Sequence, residues 1–221
     1  SQEIRYKSAE YIFYRIMVEQ LIFYPALKYF RDRDCTEPLI LDLGAGTCHN
    51  LWHFCSFLVR NNIKPRFLAA DWSSATENIA NYLRQETDVD VSYSFIDFNR
   101  KETWKFIDEQ NIDFTYTVGS LEQLPGDPLP LIQKLNSNKS KMNKIIAIEP
   151  MQEALSAFNK EDKITIEYIN KRNYLNSFLS SLLISEVEDK KDLNISINRV
   201  GYGSLFLDAY TRLNWINKNQ S

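Results

Sequence analysis

The stretch Leu39-Ile40-Leu41-Asp42-Leu43-Gly44-Ala45-Gly46-Thr47 constrains the fold more than any other part of the chain. A short apolar run, broken only by one acid, reads as a strand buried on both faces, the habit of parallel sheets covered by helices. The glycines that follow allow a sharp turn and let a ligand approach the backbone without meeting a Cβ. A helix is expected next, over residues 48–61. A lone G-x-G turn also occurs with no ligand, so its meaning rests on its surroundings.

Those surroundings repeat the pattern. Residues 66–71 (RFLAAD) and 91–97 (VSYSFID) read as strands, and 73–85 and 103–110 as helices. Residues 114–118 give a fourth strand, 129–135 a helix at the proline-rich LPGDPLP, and 144–148 (KIIAI) a fifth strand. Strands alternating with helices imply a doubly wound α/β fold with a parallel sheet. Residues 164–187 read as one long helix, followed by an antiparallel pair, 193–200 and 204–215, turning at Gly201-Tyr202-Gly203. Upstream, residues 3–30 are apolar and aromatic at helical spacing, and Pro25 is expected to end or kink a helix there. The expected organisation is a helical cap or lid over 1–34 and a ligand-binding domain over 35–221, a single domain overall. Its length suits one domain of roughly 100 to 200 residues.

Composition narrows the function. A chain of 221 residues that is 44% hydrophobic and 25% charged can fill a core. The formal net charge of −3, without a basic stripe, speaks against a general nucleic-acid binder. The lysine-rich segment 136–144 reads as a solvated loop, with a phosphate-binding patch as the sharper alternative. Cys35, Cys48 and Cys55 have neither disulfide nor zinc spacing. No apolar run approaches the roughly 20 residues of a spanning helix and no signal-peptide layout is visible, so a cytoplasmic protein with no membrane span is expected.

Asp71 ends the second strand, 25 positions beyond Gly46, where an acid can hold ribose hydroxyls; as a plainer alternative it caps the next helix. Asp97, followed by Phe98, ends the third strand in the same way, suited to accepting from an adenine amino group beside an aromatic face. Three acids at three successive strand ends converge on one crevice.

In this order the motifs resemble the Rossmann-like, class I S-adenosylmethionine-dependent methyltransferases. The family's glycine motif matches at Asp42, Gly44 and Gly46, its ribose-binding acid at Asp71 and its adenine-binding acid at Asp97. The resemblance spans about residues 39–215, including the family's ending in an antiparallel strand after the last helix. It implies S-adenosyl-L-methionine as cofactor, held by Asp42, Gly44, Gly46, Thr47, Asp71, Trp72, Asp97, Phe98, Gly119 and Ser120. One departure is Cys48, which stands where the family frequently has a third glycine. Nicotinamide dehydrogenases share the turn and the ribose acid, but their G-x-G-x-x-G fingerprint requires glycine where this chain has His49.

The runs GSLEQL, IEP, Lys171-Arg172-Asn173-Tyr174-Leu175 and Gly203-Ser204-Leu205-Phe206 also resemble uncharacterised bacterial methyltransferases associated with surface-polysaccharide gene clusters. That likeness implies a small-molecule acceptor, a sugar, nucleotide-sugar or phosphorylated glycan precursor, with Arg172 for phosphate and Tyr174 for a sugar face. The plainer alternative for both is an ordinary helix surface and core pair.

Methyl transfer is an in-line displacement, so the enzyme mainly aligns reactants and excludes water. A hydroxyl acceptor would gain from a base, and the candidates are Glu122 after the fourth strand, Glu149 at the end of the fifth, and His53. Glu122 has a helix-start alternative. His49 and His53 have metal-ligand spacing, but no third ligand accompanies them and no metal is expected. Two other classes stay open: a non-catalytic S-adenosylmethionine-binding partner subunit and an NAD(P)-dependent dehydrogenase.

Overall fold

In the computed structural model, which describes residues 11–121, 124, 127–137, 144–174, 177–188, 193–200 and 210–217, seven strands form one sheet. They are β1 (Leu39–Leu43), β2 (Arg66–Asp71), β3 (Asp90–Phe95), β4 (Phe114–Val118), β5 (Lys144–Pro150), β6 (Leu193–Arg199) and β7 (Tyr210–Asn217). Their spatial order is β3-β2-β1-β4-β5-β7-β6. The first five run parallel, and β7 is antiparallel to both of its neighbours, β5 and β6. The mostly parallel, doubly wound sheet expected from the βα alternation is therefore present.

Helices cover both faces because strand side chains alternate. Ile40, Phe67, Phe114 and Tyr116 face a core built with α1 (residues 11–18), α2 (Tyr24–Arg31), α3 (His49–Val59) and α4 (Ser74–Glu86). Leu39, Leu41 and Leu43 face the other core, completed by α5 (Lys105–Glu109), α6 (Leu129–Ser137) and α8 (Phe178–Glu188). The N-terminal helices belong to the first core: the Phe23 ring stacks on Phe54 of α3 at 4.4 Å. Phe54 in turn meets Phe67, Phe114 and Tyr116 edge-on. Truncating Phe54 to alanine would cost about 3–5 kcal/mol.

Several boundaries depart from expectation, each for a physical reason. Of the two outcomes expected at Pro25, an end or a kink, the end does not occur. The backbone widens into a π-turn, Glu19–Phe23, before α2, and Pro25 takes the first turn of α2, where its missing N–H matters least. A regular α-helix would offer the Leu21 carbonyl to residue 25; here Arg212 Nε of β7 donates to it at 3.0 Å.

The single helix expected over 164–187 is two, α7 (Lys160–Arg172) and α8. Asn173 adopts φ = 53°, donating to Asn170 O, while Tyr174 N donates to Ile169 O. That pair of bonds is a Schellman helix end, completed by the Tyr174 ring against Tyr168 at 6.0 Å. Asp34 and Asn62 end α2 and α3 with the same bond pattern and positive φ. In a chain with only 6 glycines, Asx residues supply the left-handed helix ends.

β3 stops at Phe95, so Asp97 lies in the turn beyond it. Residues 138–143, most of the lysine-rich segment, and the Gly201-Tyr202-Gly203 turn lie outside the described residues. Among the described residues no helix is long and apolar enough to cross a membrane.

Candidate functional site

The order of the sheet reverses at β1, which runs to β2 on one side and neighbours β4 on the other. Open α/β sheets leave a crevice at such a point, beyond the carboxyl ends of the strands. A cleft of about 860 Å³ opens there, lined by the turns after β1, β2, β3 and β4 and by Tyr14 of α1.

The β1 turn is tied down by main-chain bonds. Gly44 N and Ala45 N both donate to Ala70 O, at 2.8 and 3.1 Å. Gly44 has φ = 83°, and a Cβ there would collide with the Cβ of Ser120. Ser120 Oγ donates to Gly44 O at 3.0 Å, so the β1 and β4 turns lock together. Glycine at 44 is thus required twice, by dihedral and by space.

Asp71 is 7% exposed, and both of its oxygens are engaged: Oδ2 accepts from Gly46 N and Oδ1 from Ser73 N, each at 2.9 Å. Its carboxylate therefore fastens the glycine turn to the start of α4, where Ser73 Oγ caps Ala75 N at 3.2 Å. Trp72, 74% exposed, stands at the cleft wall. Asp97 Oδ1 accepts from Asn99 N at 2.9 Å, and the Asp97 carbonyl is held by Trp104 Nε1 at 3.0 Å. Gly44, Gly46, Thr47, Asp71, Trp72, Asp97, Phe98, Gly119 and Ser120 all line the cleft, which has no lysine or arginine among its described lining residues.

Asp42 lies behind the lining. Its Oδ2 accepts from the Tyr116 hydroxyl at 2.7 Å, and burial, with Asp71 adding to it, pushes its pKa up to about 7 against the opposing hydrogen bond. Tyr116 and Tyr14 are both pushed up as well, chiefly by burial.

The remaining expected residues fall elsewhere. Glu149 is 2% exposed and accepts from Thr117 Oγ1 at 2.8 Å and from Ser120 N at 3.2 Å, bracing the β4 turn from below the cleft. Glu122 lies outside the described residues. His53 does not line the cleft; its Nε2 is 3.1 Å from the Tyr11 hydroxyl, and its ring meets His49 edge-on at 4.5 Å. His49 does reach the cleft wall. Burial is the first cause lowering both imidazole pKa values, with Arg15 acting on each and His49 on His53, which favours the uncharged ring. Arg172 and Tyr174 sit at the end of α7, each against Tyr168 and neither at the cleft. Among the described residues no cluster of metal ligands occurs.

Sequence reasoning did not single out Asn50, and it reached Tyr14 only as one aromatic of the expected cap or lid over 1–34. Asn50 Nδ2 donates to the Tyr14 hydroxyl at 3.0 Å, joining the first helix to the start of α3 at the cleft wall. Asn50 was within reach of inference, since the residues just past a glycine turn face the same crevice. Tyr14 comes to the site only through the docking of α1.

Neither a protein-family model nor a curated protein sequence matches the chain. Solved structures do. The DszA carbon methyltransferase superposes with a TM-score of 0.59 at 12% identity over 90% of this chain and 53% of that one, so this chain spans about half its length. The methyltransferase domain of bacterial CtHen1-CN gives 0.53 at 14% identity over 90% and 99% of the two chains. Geranyl diphosphate methyltransferase, solved with GPP and sinefungin, gives 0.52 at 8% identity over 82% and 71%. At these identities the likeness speaks to architecture. Together with the strand order and the antiparallel β7, it identifies the fold of this chain as the Rossmann-like fold of methyltransferases.

Proposed function

We propose that the chain is an S-adenosylmethionine-dependent methyltransferase acting on a small-molecule acceptor, by O-methylation of a sugar, nucleotide-sugar or phosphorylated glycan precursor of a bacterial surface polysaccharide. The observation that carries the methyltransferase reading is the pair of acids in the cleft, Asp71 and Asp97, with no lysine or arginine among its described lining residues. Carboxylates suit the ammonium and sulfonium of S-adenosylmethionine and the hydroxyls of its ribose. The sheet adds to this, since the dinucleotide-binding order 3-2-1-4-5-6 has no antiparallel strand between the fifth and sixth.

Bound there, the cofactor would supply a methyl group on a positively charged sulfur. Asp71 would accept from the ribose hydroxyls while holding the glycine turn, and Trp72 and Phe98 would flank the adenine, with Asp97 at its amino group. The turns at Gly44, Gly46, Thr47, Gly119 and Ser120 would receive the methionine end. Glu149 positions Ser120, and His49, at the cleft wall with its pKa lowered by burial, is the group assigned to take the proton of a hydroxyl acceptor. The acceptor class rests on the resemblance of short motifs alone.

Thermal unfolding with S-adenosylhomocysteine, NAD and NADP tests the reading. S-adenosylhomocysteine should stabilise by about 2.7 kcal/mol at a hundredfold excess over its Kd, and the nicotinamide cofactors not at all. The reverse would overturn the proposal. Incubating the donor with sugars, nucleotide-sugars and glycan phosphates should then give a product heavier by one methylene; donor binding without any product favours the non-catalytic subunit. His49→Gln should keep donor affinity and lower turnover by about a hundredfold, whereas Glu149→Gln should act mainly on stability.

A further inference from the structure

S-adenosylmethionine ends in an amino acid whose carboxylate needs hydrogen-bond donors wherever it is held. The cleft has no lysine or arginine among its described lining residues to supply them. Five main-chain N–H groups of its turns are already committed: Gly44 and Ala45 donate to Ala70 O, Gly46 to Asp71, Gly119 to Ile148 O and Ser120 to Glu149. Side-chain donors gain weight accordingly.

The two ends of the cleft differ. Asp71, Trp72, Asp97 and Phe98 follow β2 and β3 and suit the ribose and adenine, which leaves the β1 and β4 side for the amino-acid end. Tyr14 and Asn50 line the cleft on that side, since Asn50 follows the β1 turn and Tyr14 is near enough to feel Asp42 of β1 and Glu149 of β5. Tyr14 precedes the buried Met17 and Val18 of α1 by three and four residues, so its ring shares their face and packs against the first core.

The Tyr14 hydroxyl accepts from Asn50 Nδ2 at 3.0 Å, whereas Asn50 Oδ1, which could take the hydroxyl's own proton, stands at 3.4 Å. The phenol is therefore fixed through its lone pair, and its proton is free to turn toward a ligand. Burial raises its pKa above 10.0, with Asn50 opposing and Asp42 and Glu149 adding, so the hydroxyl keeps that proton at neutral pH.

We propose that the Tyr14 hydroxyl binds the carboxylate at the amino-acid end of S-adenosylmethionine, with Asn50 holding the phenol in position, so that α1 completes the cofactor site. This assignment rests on the S-adenosylmethionine reading of the cleft. A phenol donating to a carboxylate makes a charge-assisted bond, about twice as strong as one between neutral groups.

Calorimetric titration of the full chain with S-adenosylmethionine and with its decarboxylated form, which lacks only the carboxylate, tests the assignment. Tyr14→Phe keeps the ring and removes the hydroxyl, so it should weaken S-adenosylmethionine about tenfold or more and change the decarboxylated form by no more than about twofold. Asn50→Asp sets a second carboxylate beside the hydroxyl and captures its proton. It should weaken S-adenosylmethionine in the same selective way, and it carries the test should the melting temperature show that Tyr14→Phe does not fold. Equal losses for both ligands would make the hydroxyl a structural group, and unchanged affinity for both would move it to the acceptor; either result overturns the proposal. A parent chain that binds neither S-adenosylmethionine nor S-adenosylhomocysteine would overturn the cofactor reading, and this assignment with it.

Discussion

β5 carries Lys144 at its entry and Glu149 near its exit, and the two edges of the sheet differ as those residues do. At the exit edge the cleft is made largely from main chain: left-handed turns at Gly44, Gly46 and Gly119, with carboxylates and hydroxyls holding backbone groups. At the entry edge a second cavity, of about 500 Å³, is made from long cationic side chains, Lys28, Arg33 and Lys144, on an ordinary helix and a strand end. A site made of turns cannot lose one part without losing its shape. A cavity made of side chains can lose one of them and keep its shape.

Gly44→Ala should give the largest effect. Its methyl group would meet Ser120 at a backbone angle that L-residues avoid, so unfolding in urea should show a loss of about 3 kcal/mol or more, and stabilisation by S-adenosylhomocysteine should disappear. At the other edge, Arg33→Gln should change stability by no more than about 0.5 kcal/mol. Similar losses from both would erase the contrast.

Asp71→Ala comes next. It leaves Gly46 N and Ser73 N without their acceptor, which should cost about 1–3 kcal/mol and weaken S-adenosylhomocysteine by tenfold or more in calorimetry. Unchanged affinity would confine Asp71 to fastening the turn.

Asp42 makes the contrast depend on pH. Its folded-state pKa of about 7 stands above the unfolded value of 3.8, so the folded chain keeps a proton that the unfolded chain releases. The stabilisation from that proton is complete below pH 3.8 and is lost as the pH rises to about 7. Asp42→Asn keeps an acceptor for the Tyr116 hydroxyl and removes the ionisation, so the parent should lose more stability than the variant between pH 5 and pH 8. Parallel losses would mean that Asp42 ionises normally.

Among the cleft variants, the smallest change is expected from Cys48→Gly. Cys48 holds φ = 55° at the start of α3 with its thiol fully buried, so glycine would relieve about 1 kcal/mol of backbone strain and give up a similar amount of burial. A net change within about 1 kcal/mol, seen in the melting temperature, is expected; a larger loss would make the thiol a packing residue in its own right.

Much of the cleft was legible because its signals are local. The β1 run, the G-x-G turn and the acid closing β2 lie in short segments whose period and punctuation carry structural meaning, and β1, β2 and β4 occupy the expected residues. Cys48 was legible as a departure but not as a solution: the turn needs a positive φ, and a buried cysteine supplies it. The break after α7 was hidden because Asn173, not glycine, takes the left-handed position. Tyr14 and the cationic cavity were illegible for another reason. Each depends on docking between distant segments, α1 on α3 in one case and α2 against the start of β5 in the other.

The bond from Arg212 to the Leu21 carbonyl spans 191 residues of chain. During synthesis the helix that offers this carbonyl leaves the ribosome well before the strand that answers it, which is the last of the seven to appear. β5 and β6 likewise wait for β7, which lies between them. A growing chain could therefore hold every residue of the cleft yet still present β5 as a bare edge, the kind of surface that recruits other chains. Closing so long a loop is slow, because its entropy must be surrendered before the contacts that offset it have formed. The interval between translating β5 and translating β7 is thus one in which an unpaired strand edge lies open to other chains.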